Sequence, residues 1–436
     1  MKALVYEHNN PRFAAARVAS MMSHGSGVNV GPLRLIEVDP PKLPGPAWHV
    51  VRPALAGICG SDLATLDSRS SRYFEALVSF PFVPGHEVVG YLDAPQPAGV
   101  PQPAGVPQPA GGSQPARVVI EPVLGCATRE IVPPCPACAA GHTGACQQVA
   151  FGHLRPGLQT GYCVDTGGGW SGALVAHESQ IHRVPEALSD EDAVMVEPTA
   201  CAVHASLAAG VEEGDTVVVL GSGTLGLCVV AALRRFCRPA TIVSVAKHLH
   251  QRKLASQLGA DLVIGPDEVR RGVRRLTHSM AVGPEHGPGR LTGGASLVLD
   301  CVGSADSIAD SLAVVRPRGR VVLVGMPGKL KVDLAPLWQR EISLAGAYAY
   351  GTEMLPEVGS RRTFDLAFEL VGAEHLGRLV SARYPLERFE EAVAHAASAG
   401  RRGSVKVVFD LDPAAQRSAR PRGAAQRPTQ ELQSDD

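Results

Sequence analysis

The sequence predicts an α/β protein whose second half folds as a doubly wound parallel sheet. From residue 214 onward, short apolar runs typical of strands alternate with segments typical of helices, which is the βαβ rhythm of such a sheet. A glycine-rich loop follows the first of these strands. The first part of the chain differs, because its short β-branched runs are cut by proline and glycine, and it is predicted to be rich in strands and loops.

The predicted strands lie at Lys2–Glu7, Leu33–Val38, His49–Pro53, Val217–Leu220, Thr241–Ala246, Leu262–Ile264, Leu297–Cys301 and Val321–Gly325. Residues 8–31, between the first two strands, are polar and have no clear period, so we expect a loop insertion there. After residue 347 the pattern mixes helix and strand, and it ends in a strand over Val405–Phe409.

Two segments have the composition of unstructured chain. The hexad Pro-Gln-Pro-Ala-Gly-Val fills residues 95–100 and again 101–106, and degenerate copies continue to residue 116. Proline at every second or third position blocks helix and ladder hydrogen bonds, so 95–116 is predicted to be an exposed, extended loop. Residues 413–436 are rich in Ala, Gln, Arg and Pro and are predicted to be a disordered tail.

Composition excludes several classes of protein. Of the 436 residues, 45% are hydrophobic, which supports a buried core and excludes a mainly disordered chain. With 41 basic and 42 acidic side chains the net charge is −1, so neither nucleic acid nor an anionic membrane is predicted as a partner. No apolar stretch reaches the ~20 residues of a membrane span, and the N-terminus lacks the apolar region of a signal peptide. We therefore expect a cytoplasmic protein, in which the ten cysteines are metal ligands or core residues.

The glycine loop predicts a dinucleotide site. Gly221 permits a tight turn, Gly223 lets the backbone approach a pyrophosphate, and Gly226 allows close packing of helix on strand. The following helix begins at Thr224 and Leu225, and its free N–H groups favour phosphate. The alternative is a glycine turn in some other parallel sheet.

The end of the second parallel strand favours NADP over NAD. NAD sites usually have a carboxylate there that binds the ribose 2′-hydroxyl, but this strand ends in Ala246-Lys247-His248. Lys247 and His248, with Arg252 behind them, can attract a 2′-phosphate. The alternative is that Lys247 and His248 are ordinary exposed loop residues.

Two groups of residues predict metal sites. Cys59 and His86 are 27 residues apart, and Glu197 follows in Val-Glu-Pro; all three are zinc ligand types, and a catalytic zinc has three protein ligands and an open position. Each alone is also compatible with a core or surface role. The second group is four cysteines in about 20 residues, which favours a structural four-thiolate zinc site over a set of free thiols. Its members are Cys126, Cys135, Cys138 and Cys146.

With these motifs the chain resembles the zinc-dependent medium-chain alcohol and polyol dehydrogenases, which include sorbitol, threonine and glucose dehydrogenases. The resemblance runs from Lys2 to about Asp410. It implies a GroES-like catalytic domain made of residues 1–199 and 350–412, and a Rossmann dinucleotide-binding domain at residues 200–349. It also implies a homodimer or homotetramer.

The resemblance implies roles for the residues of the first group. Cys59 and His86 are identified as ligands of the catalytic zinc, and Glu87 as an adjacent carboxylate that ligates or lies in the second shell. Glu197 occupies the position where many alcohol dehydrogenases have cysteine and polyol-type members have glutamate. This favours the polyol-like branch.

Further roles follow from the same resemblance. Asp62 orients His86, Ser61 matches the hydroxyl that passes on the substrate proton, and Lys406 aligns with a basic residue that contacts pyrophosphate. Many members have histidine three residues after this serine, but here the residue is Ala64. In the four-cysteine lobe the first gap is eight residues instead of two, so the intervening loop has to fold back.

The implied reaction is reversible hydride transfer between a secondary alcohol or polyol and NAD(P), with a small molecule as the partner and zinc as the Lewis acid. One alternative is a zinc-free quinone or enoyl reductase of the same fold, which would lack the Cys, His and Glu set. Another is a non-enzymatic NADP-binding protein.

Overall fold

The computed structural model describes residues 1–93, 115–285, 289–355 and 358–411. Almost all of the predicted loop at 95–116 and the whole predicted tail at 413–436 lie outside the described residues. The described strands are β1 Lys2–Tyr6, β2 Leu33–Glu37, β3 Trp48–Gly57, β4 Val88–Leu92, β5 Arg117–Ile120, β6 Leu174–His177, β7 Ile181–Arg183, β8 Thr216–Leu220, β9 Thr241–Val245, β10 Leu262–Ile264, β11 Ala281–Val282, β12 Arg290–Leu291, β13 Ala295–Asp300, β14 Val315–Leu323, β15 Ser343–Gly346, β16 Thr352–Leu355, β17 Gly359–Arg362, β18 Val380–Tyr384 and β19 Lys406–Asp410.

The α-helices are α1 Asn10–Met22, α2 Gly60–Leu66, α3 Pro136–Ala139, α4 Asp190–Val194, α5 Val196–Ala208, α6 Thr224–Ala232, α7 Leu249–Gln257, α8 Val269–Leu276, α9 Ala305–Val314, α10 Ala335–Gln339, α11 Thr363–Glu374 and α12 Phe389–Ala397. Within the described ranges, no helix is both long and apolar enough to cross a membrane.

A six-stranded parallel sheet forms the core of the second half, in the order β10-β9-β8-β13-β14-β15. Val217, Val218 and Val219 of β8 are fully buried, as expected for a strand with helices on both faces. The chain runs outward from β8 to β10 and then returns to β13 on the other side of β8. This reversal is the switch point of a doubly wound sheet, where a crevice opens beyond the carboxyl ends of the strands.

The first part and the last part of the chain share a second sheet, in the order β18-β19-β3-β4-β5-β7, with β6 also paired to β3. Strand β19 runs antiparallel to β3, and Val408 lies opposite Gly57. The chain therefore returns after the parallel sheet and completes the first domain's sheet. The predicted α/β class, with a strand-rich part beside a doubly wound sheet, is confirmed; the boundaries at 199/200 and 349/350 remain predictions.

The prediction of a loop at residues 8–31 is wrong, because α1 occupies most of it. Asn9 caps this helix by accepting from the N–H of Arg12 at 3.1 Å, and Pro11 lies in its first turn. Only Ala16 and Ser20 of α1 are buried, so the apolar stripe was too weak to reveal the helix.

Candidate active site

The residues predicted as catalytic zinc ligands meet at the start of α2 and of β4. Cys59 is the N-cap of α2, while His86 and Glu87 immediately precede β4. One ligand atom from each of these three residues lies within 4.8 Å of the others. His86 and Glu87 are buried, whereas Cys59 is partly exposed.

Asp62, in the first turn of α2, lies close to two residues of this cluster, Cys59 and His86. Its Oδ2 accepts a hydrogen bond from the backbone N–H of Cys59 at 3.0 Å. Its Oδ1 lies 3.5 Å from His86 Nδ1, beyond normal hydrogen-bond distance. Burial lowers the pKa of His86, but Asp62 and Cys59 outweigh burial and raise the pKa well above its ordinary value.

The donor set fits Zn²⁺. It combines a thiol, an imidazole and a carboxylate, which are the ligand types that zinc takes in proteins. His86 Nδ1 is buried and has no hydrogen-bond partner, so the ring is not held by a protein partner on that nitrogen. Bound zinc would be ligated by Cys59 and His86, with Glu87 beside them.

Lys406 lies directly behind the cluster, which the sequence did not predict. Its ammonium donates to Glu87 Oε2 and to the backbone oxygen of Ile58, the latter at 3.3 Å, and both charged side chains are 2% exposed. Burial lowers the pKa of Lys406, but Glu87 and Cys59 raise it above its ordinary value. The structure thus places Lys406 on the metal cluster, while its predicted contact with pyrophosphate stays a prediction.

Glu197 lies near the cluster, in the first turn of α5, but is not one of the three residues whose ligand atoms all lie within 4.8 Å. Burial raises the pKa of Glu197 to about 7, with His86 opposing and Glu87 reinforcing the shift. One turn later, Cys201 Sγ lies 3.6 Å from Glu197 Oε1. The structure thus places the Cys201 thiol at the edge of the site.

Tyr162 is a residue of the site that sequence reasoning missed. Its hydroxyl donates to Asp62 Oδ1 at 3.1 Å and lies 3.4 Å from Thr65 Oγ1. Burial and the charge of Asp62 raise the pKa of Tyr162 well above its ordinary value, so the phenol stays protonated at neutral pH. The tyrosine follows Asp62 by 100 residues, and nothing in its local sequence indicates the contact.

The four predicted structural cysteines come together despite their unusual spacing. The sulfur atoms of Cys126, Cys135, Cys138 and Cys146 all lie within 4.8 Å of one another. The eight-residue spacer folds back because Ile131 N–H donates to Cys126 O at 3.0 Å, and because the buried Arg129 guanidinium donates to several backbone carbonyls, including Leu124 O and Leu154 O.

The surroundings of these thiols favour the thiolate at one cysteine and disfavour it at two others. Burial raises the pKa of Cys138 and Cys146. Burial likewise raises the pKa of Cys135, but hydrogen bonds from the N–H groups of Gln147 and Cys138 outweigh it and lower the pKa to about 6. Backbone N–H groups aimed at sulfur favour the thiolate that zinc requires.

The glycine loop has the geometry that the motif predicts. Gly221 has φ +90°, and a side chain there would contact Val302. A Cβ at Gly226 would lie 1.7 Å from Gly221 O, whereas a Cβ at Gly223 would meet nothing within 4 Å. Gly226 is therefore needed for packing, and Gly223 faces open space at the N-terminus of α6, where Thr224 and Leu225 begin the helix.

A pocket of about 420 Å³ lies beyond the ends of β9 and β10, lined by Lys247, Arg252 and residues 265–268. Arg252 Nε donates to Ala246 O at 3.1 Å, which fixes the guanidinium beside the pocket. His248 instead caps α7 and is not among the lining residues. Residues 265–268 were missed, and they bring two carboxylates, Asp267 and Glu268, to the same pocket.

The chain is similar to known dehydrogenases over most of its length. Residues 45–186 match the family model of the alcohol dehydrogenase GroES-like domain, and residues 224–365 match that of the zinc-binding dehydrogenase. The L-idonate 5-dehydrogenase of Vitis vinifera is 27% identical over 384 residues, which are 87% of this chain and 93% of that protein. The sorbitol dehydrogenase of Arabidopsis thaliana is 28% identical over 388 residues, with the same coverage.

Among solved structures, galactitol-1-phosphate dehydrogenase from Escherichia coli has the same fold. Its TM-score is 0.64 at 20% identity, and the match covers 94% of this chain and 100% of that one.

Proposed function

The chain belongs to the zinc-type medium-chain alcohol and polyol dehydrogenases, and from that premise we propose that it oxidises a secondary, polyhydroxylated alcohol with NADP. The family uses Zn²⁺ and a nicotinamide cofactor, and hydride passes between an alcohol and a carbonyl. One observation carries the dehydrogenase activity in this proposal: Thr224 Oγ1, at the start of the helix α6 that follows the glycine loop, donates to Val405 O at 3.4 Å, and the next residue, Lys406, pairs with Glu87. The glycine loop and the metal cluster therefore both contact the start of strand β19.

The chain's own residues favour this reaction through their positions and charges. Zn²⁺ bound at the cluster would supply Lewis acidity to the alcohol oxygen, and a bound nicotinamide would supply the hydride acceptor. Ser61 lies in the first turn of α2, two residues after Cys59, where its hydroxyl can take the proton of the alcohol. Asp62 holds the backbone of Cys59 by a hydrogen bond and lies 3.5 Å from the imidazole of His86, where closer approach would let it orient the ring.

Two features support a polyhydroxylated substrate. Glu197 stands where the polyol-type enzymes have glutamate, and its side chain is buried beside the cluster. The similar plant proteins are named for idonate and sorbitol, which both carry several hydroxyl groups. Turnover assays with different classes of alcohol identify which such compound this enzyme uses.

The proposed preference for NADP rests on the pocket at the end of β9. Lys247 is exposed there and Arg252 is fixed at its side, and no carboxylate ends the strand. Asp267 and Glu268 also line the pocket, but Glu268 is already engaged by Gly265 N–H and by Arg271.

The test of this preference replaces Lys247 with alanine. A charge-assisted hydrogen bond contributes about 1.5–3 kcal/mol, so Lys247→Ala should weaken NADP binding about 10- to 100-fold and leave NAD binding unchanged. Lys253→Ala, which removes an exposed lysine of the following helix α7, is the matched control. Equal loss of NADP and NAD affinity in Lys247→Ala would refute the assignment.

A second, structural zinc at the four cysteines and a homodimer or homotetramer are part of the proposal. The thiol cluster supports the zinc. The dimer is supported by the edge of the parallel sheet, where all four residues of β15 are exposed and Trp338 nearby is 82% exposed. Unpaired edge strands with apolar neighbours are typical interaction surfaces. Light scattering of the wild type and of Trp338→Ser tests the dimer.

The central experiment is nicotinamide absorbance during turnover of zinc-loaded protein. NADP and NAD are offered separately with polyols, sugars, sugar acids, amino alcohols and simple secondary alcohols. We expect turnover with polyols and NADP. Turnover that survives removal of zinc would favour the zinc-free reductase instead, and binding of NADP without any turnover would favour a non-enzymatic role.

A further inference from the structure

We propose that the four-cysteine lobe helps to position the metal cluster of the active site through two residues, Arg129 and Tyr162. Arg129 fixes the segment that carries Tyr162, and Tyr162 in turn holds Asp62 beside the metal ligands. The proposal rests on the proposed function, because it takes Cys59 and His86 as ligands. It gives a role to the eight-residue spacer that distinguishes the lobe of this chain.

Arg129 lies in that spacer, between the first two cysteines of the lobe, and is buried. Its Nε donates to Leu124 O at 3.1 Å, just before the first cysteine. Its two terminal nitrogens donate, at 2.8–3.3 Å, to four backbone oxygens of the segment that follows the lobe, those of Phe151, Leu154, Arg155 and Gly157. A guanidinium carries five N–H donors in a rigid plane, so one side chain ties the spacer to residues 151–157.

The segment that Arg129 fixes contacts Cys163, the residue after Tyr162. Cys163 Sγ lies 3.5 Å from Arg155 O, and a Cβ at Gly157 would lie 2.5 Å from Cys163 Cβ. Cys163 is fully buried. Because closely packed interiors transmit displacements, a shift of residues 155–157 would move Cys163 and the adjoining Tyr162.

The Tyr162 side chain reaches the metal cluster. Its ring centroid lies 5.2 Å from that of the buried Phe82 and 6.0 Å from that of His86. Its hydroxyl donates to Asp62 Oδ1 at 3.1 Å, while Asp62 Oδ2 accepts from Cys59 N–H at 3.0 Å. Each carboxylate oxygen thus has its own partner, and the two partners together fix the plane of the carboxylate that faces His86. Carboxylates beside a ligating histidine orient the ring and raise metal affinity.

Cobalt binding tests the proposal without turnover. Zinc is removed from the full-length protein with a chelator, and Co²⁺ is titrated in against a competing chelator, without oxygen, while the visible spectrum is recorded. The absorption that is missing in Cys59→Ser belongs to the metal cluster. The titration gives the affinity of the cluster, and the band positions at saturation report the geometry of its ligands.

Tyr162→Phe removes only the hydroxyl. It should lower the affinity of the cluster for Co²⁺ about 10-fold and shift its bands, since groups that orient metal ligands contribute about 10- to 100-fold. Tyr6→Phe is the matched control, because the Tyr6 hydroxyl also contacts α2 but donates to Thr65 O, at 2.9 Å. In the Asp62→Ala background Tyr162→Phe should cause no further loss, because Tyr162 acts through Asp62.

Arg129→Lys tests the connection to the lobe. Lysine keeps the charge but has three donors and no planar fork, so this variant should lower the affinity of the cluster about 2- to 10-fold. The matched control is Arg340→Lys, because the buried Arg340 guanidinium also donates to backbone oxygens, but in the half with the parallel sheet, those of Leu291, Gly293 and Leu312. Both variants should lower the Tm, and only Arg129→Lys should lower the cobalt affinity.

Unchanged affinity and bands in Tyr162→Phe, or an equal loss with and without Asp62, would overturn the role of Tyr162. Equal cobalt affinities of Arg129→Lys and Arg340→Lys would overturn the connection to the lobe. If Asp62→Ala or Arg129→Lys does not fold, the comparison of Tyr162→Phe with Tyr6→Phe decides.

The same titrations separate this proposal from the proposed function. Cobalt binding that follows these expectations, in a protein without turnover on any alcohol, would support the positioning role and contradict the dehydrogenase activity. If no cobalt absorption depends on Cys59, the metal cluster and the positioning role both fail.

Discussion

Replacing Lys406 with methionine would remove the positive charge that pairs with Glu87. The free energy of unfolding of the variant should then depend strongly on bound zinc. Both members of the pair are 2% exposed, and Lys406 is the cation that the described chain places on this carboxylate. Breaking a buried ion pair by removing one partner costs about 3–5 kcal/mol, since the remaining charge is left uncompensated. Methionine retains most of the side-chain volume, so the loss of charge is the main change.

The size of the effect should depend on the metal. Without zinc, the variant should lose about 3 kcal/mol of stability, which lowers the Tm of a domain of 150–250 residues by roughly 6–12 °C. With zinc, the metal charge compensates Glu87, so most of the loss should disappear. By linkage, zinc affinity should rise about 100-fold for the same 3 kcal/mol.

Thermal unfolding in the presence of a chelator and of excess zinc, together with competitive zinc titration, measures both quantities. Cys228→Ala is a useful reference, because it alters a buried side chain of the cofactor helix without altering a formal charge. Weaker zinc binding in Lys406→Met, or equal destabilisation with and without zinc, would refute the view that Lys406 balances a carboxylate next to the metal.

Three further predictions test other parts of the molecule. Cys59→Ser should abolish turnover while nicotinamide binding survives, as checked by kinetics and cofactor titration; an active, metal-loaded variant would contradict the ligand assignment. Cys138→Ser should lower the zinc content from two to one per chain by elemental analysis, and an unchanged content would remove the structural zinc. Glu121→Gln should destabilise the protein by about 3 kcal/mol, because buried Glu121 accepts from His182 at 2.9 Å and from Arg362. Burial raises the pKa of Glu121, but these partners lower it overall, so the difference in Tm between wild type and Glu121→Gln should be full at neutral pH and shrink as the pH falls through the lowered pKa.

The sequence predicted those parts of the site whose residues belong to short, contiguous motifs. The turn at Gly221 and the close packing at Gly226 depend on residues within a few positions, where spacing alone implies geometry. The metal cluster joins two short motifs, around Cys59 and around His86, which the resemblance to the family relates to each other. The parts that it missed depend on contacts between distant segments. Lys406 and Glu87 are 319 residues apart, and Tyr162 and Asp62 are 100 residues apart.

The helix at the N-terminus was missed for a different reason. Its stability comes from an Asn9 cap and from the anchoring of the following turn, where the buried carboxylate of Asp67 accepts from the N–H groups of Gly25 and Gly27 at 2.9–3.1 Å. Neither feature produces an apolar period, so a pattern search does not detect the helix. Tertiary hydrogen bonds decide the structure of such a segment.

Strand β19 connects the glycine loop with the metal cluster. The contacts at its start limit how far either of them can move without the other. Val405, which precedes the strand, accepts from Thr224 of the cofactor helix, while Lys406, its first residue, reaches Glu87. On the other side, a Cβ at Gly57 of β3 would lie 1.9 Å from Glu87 Oε2 and 2.8 Å from Lys406 Cε, so only glycine leaves room for the ion pair. A displacement of helix α6 would therefore move Val405 and the adjoining Lys406, and through Lys406 it would move the Glu87 carboxylate beside the metal cluster. Such direct coupling suits a reaction in which the hydride acceptor and the alcohol oxygen have to be placed together to within a fraction of an ångström.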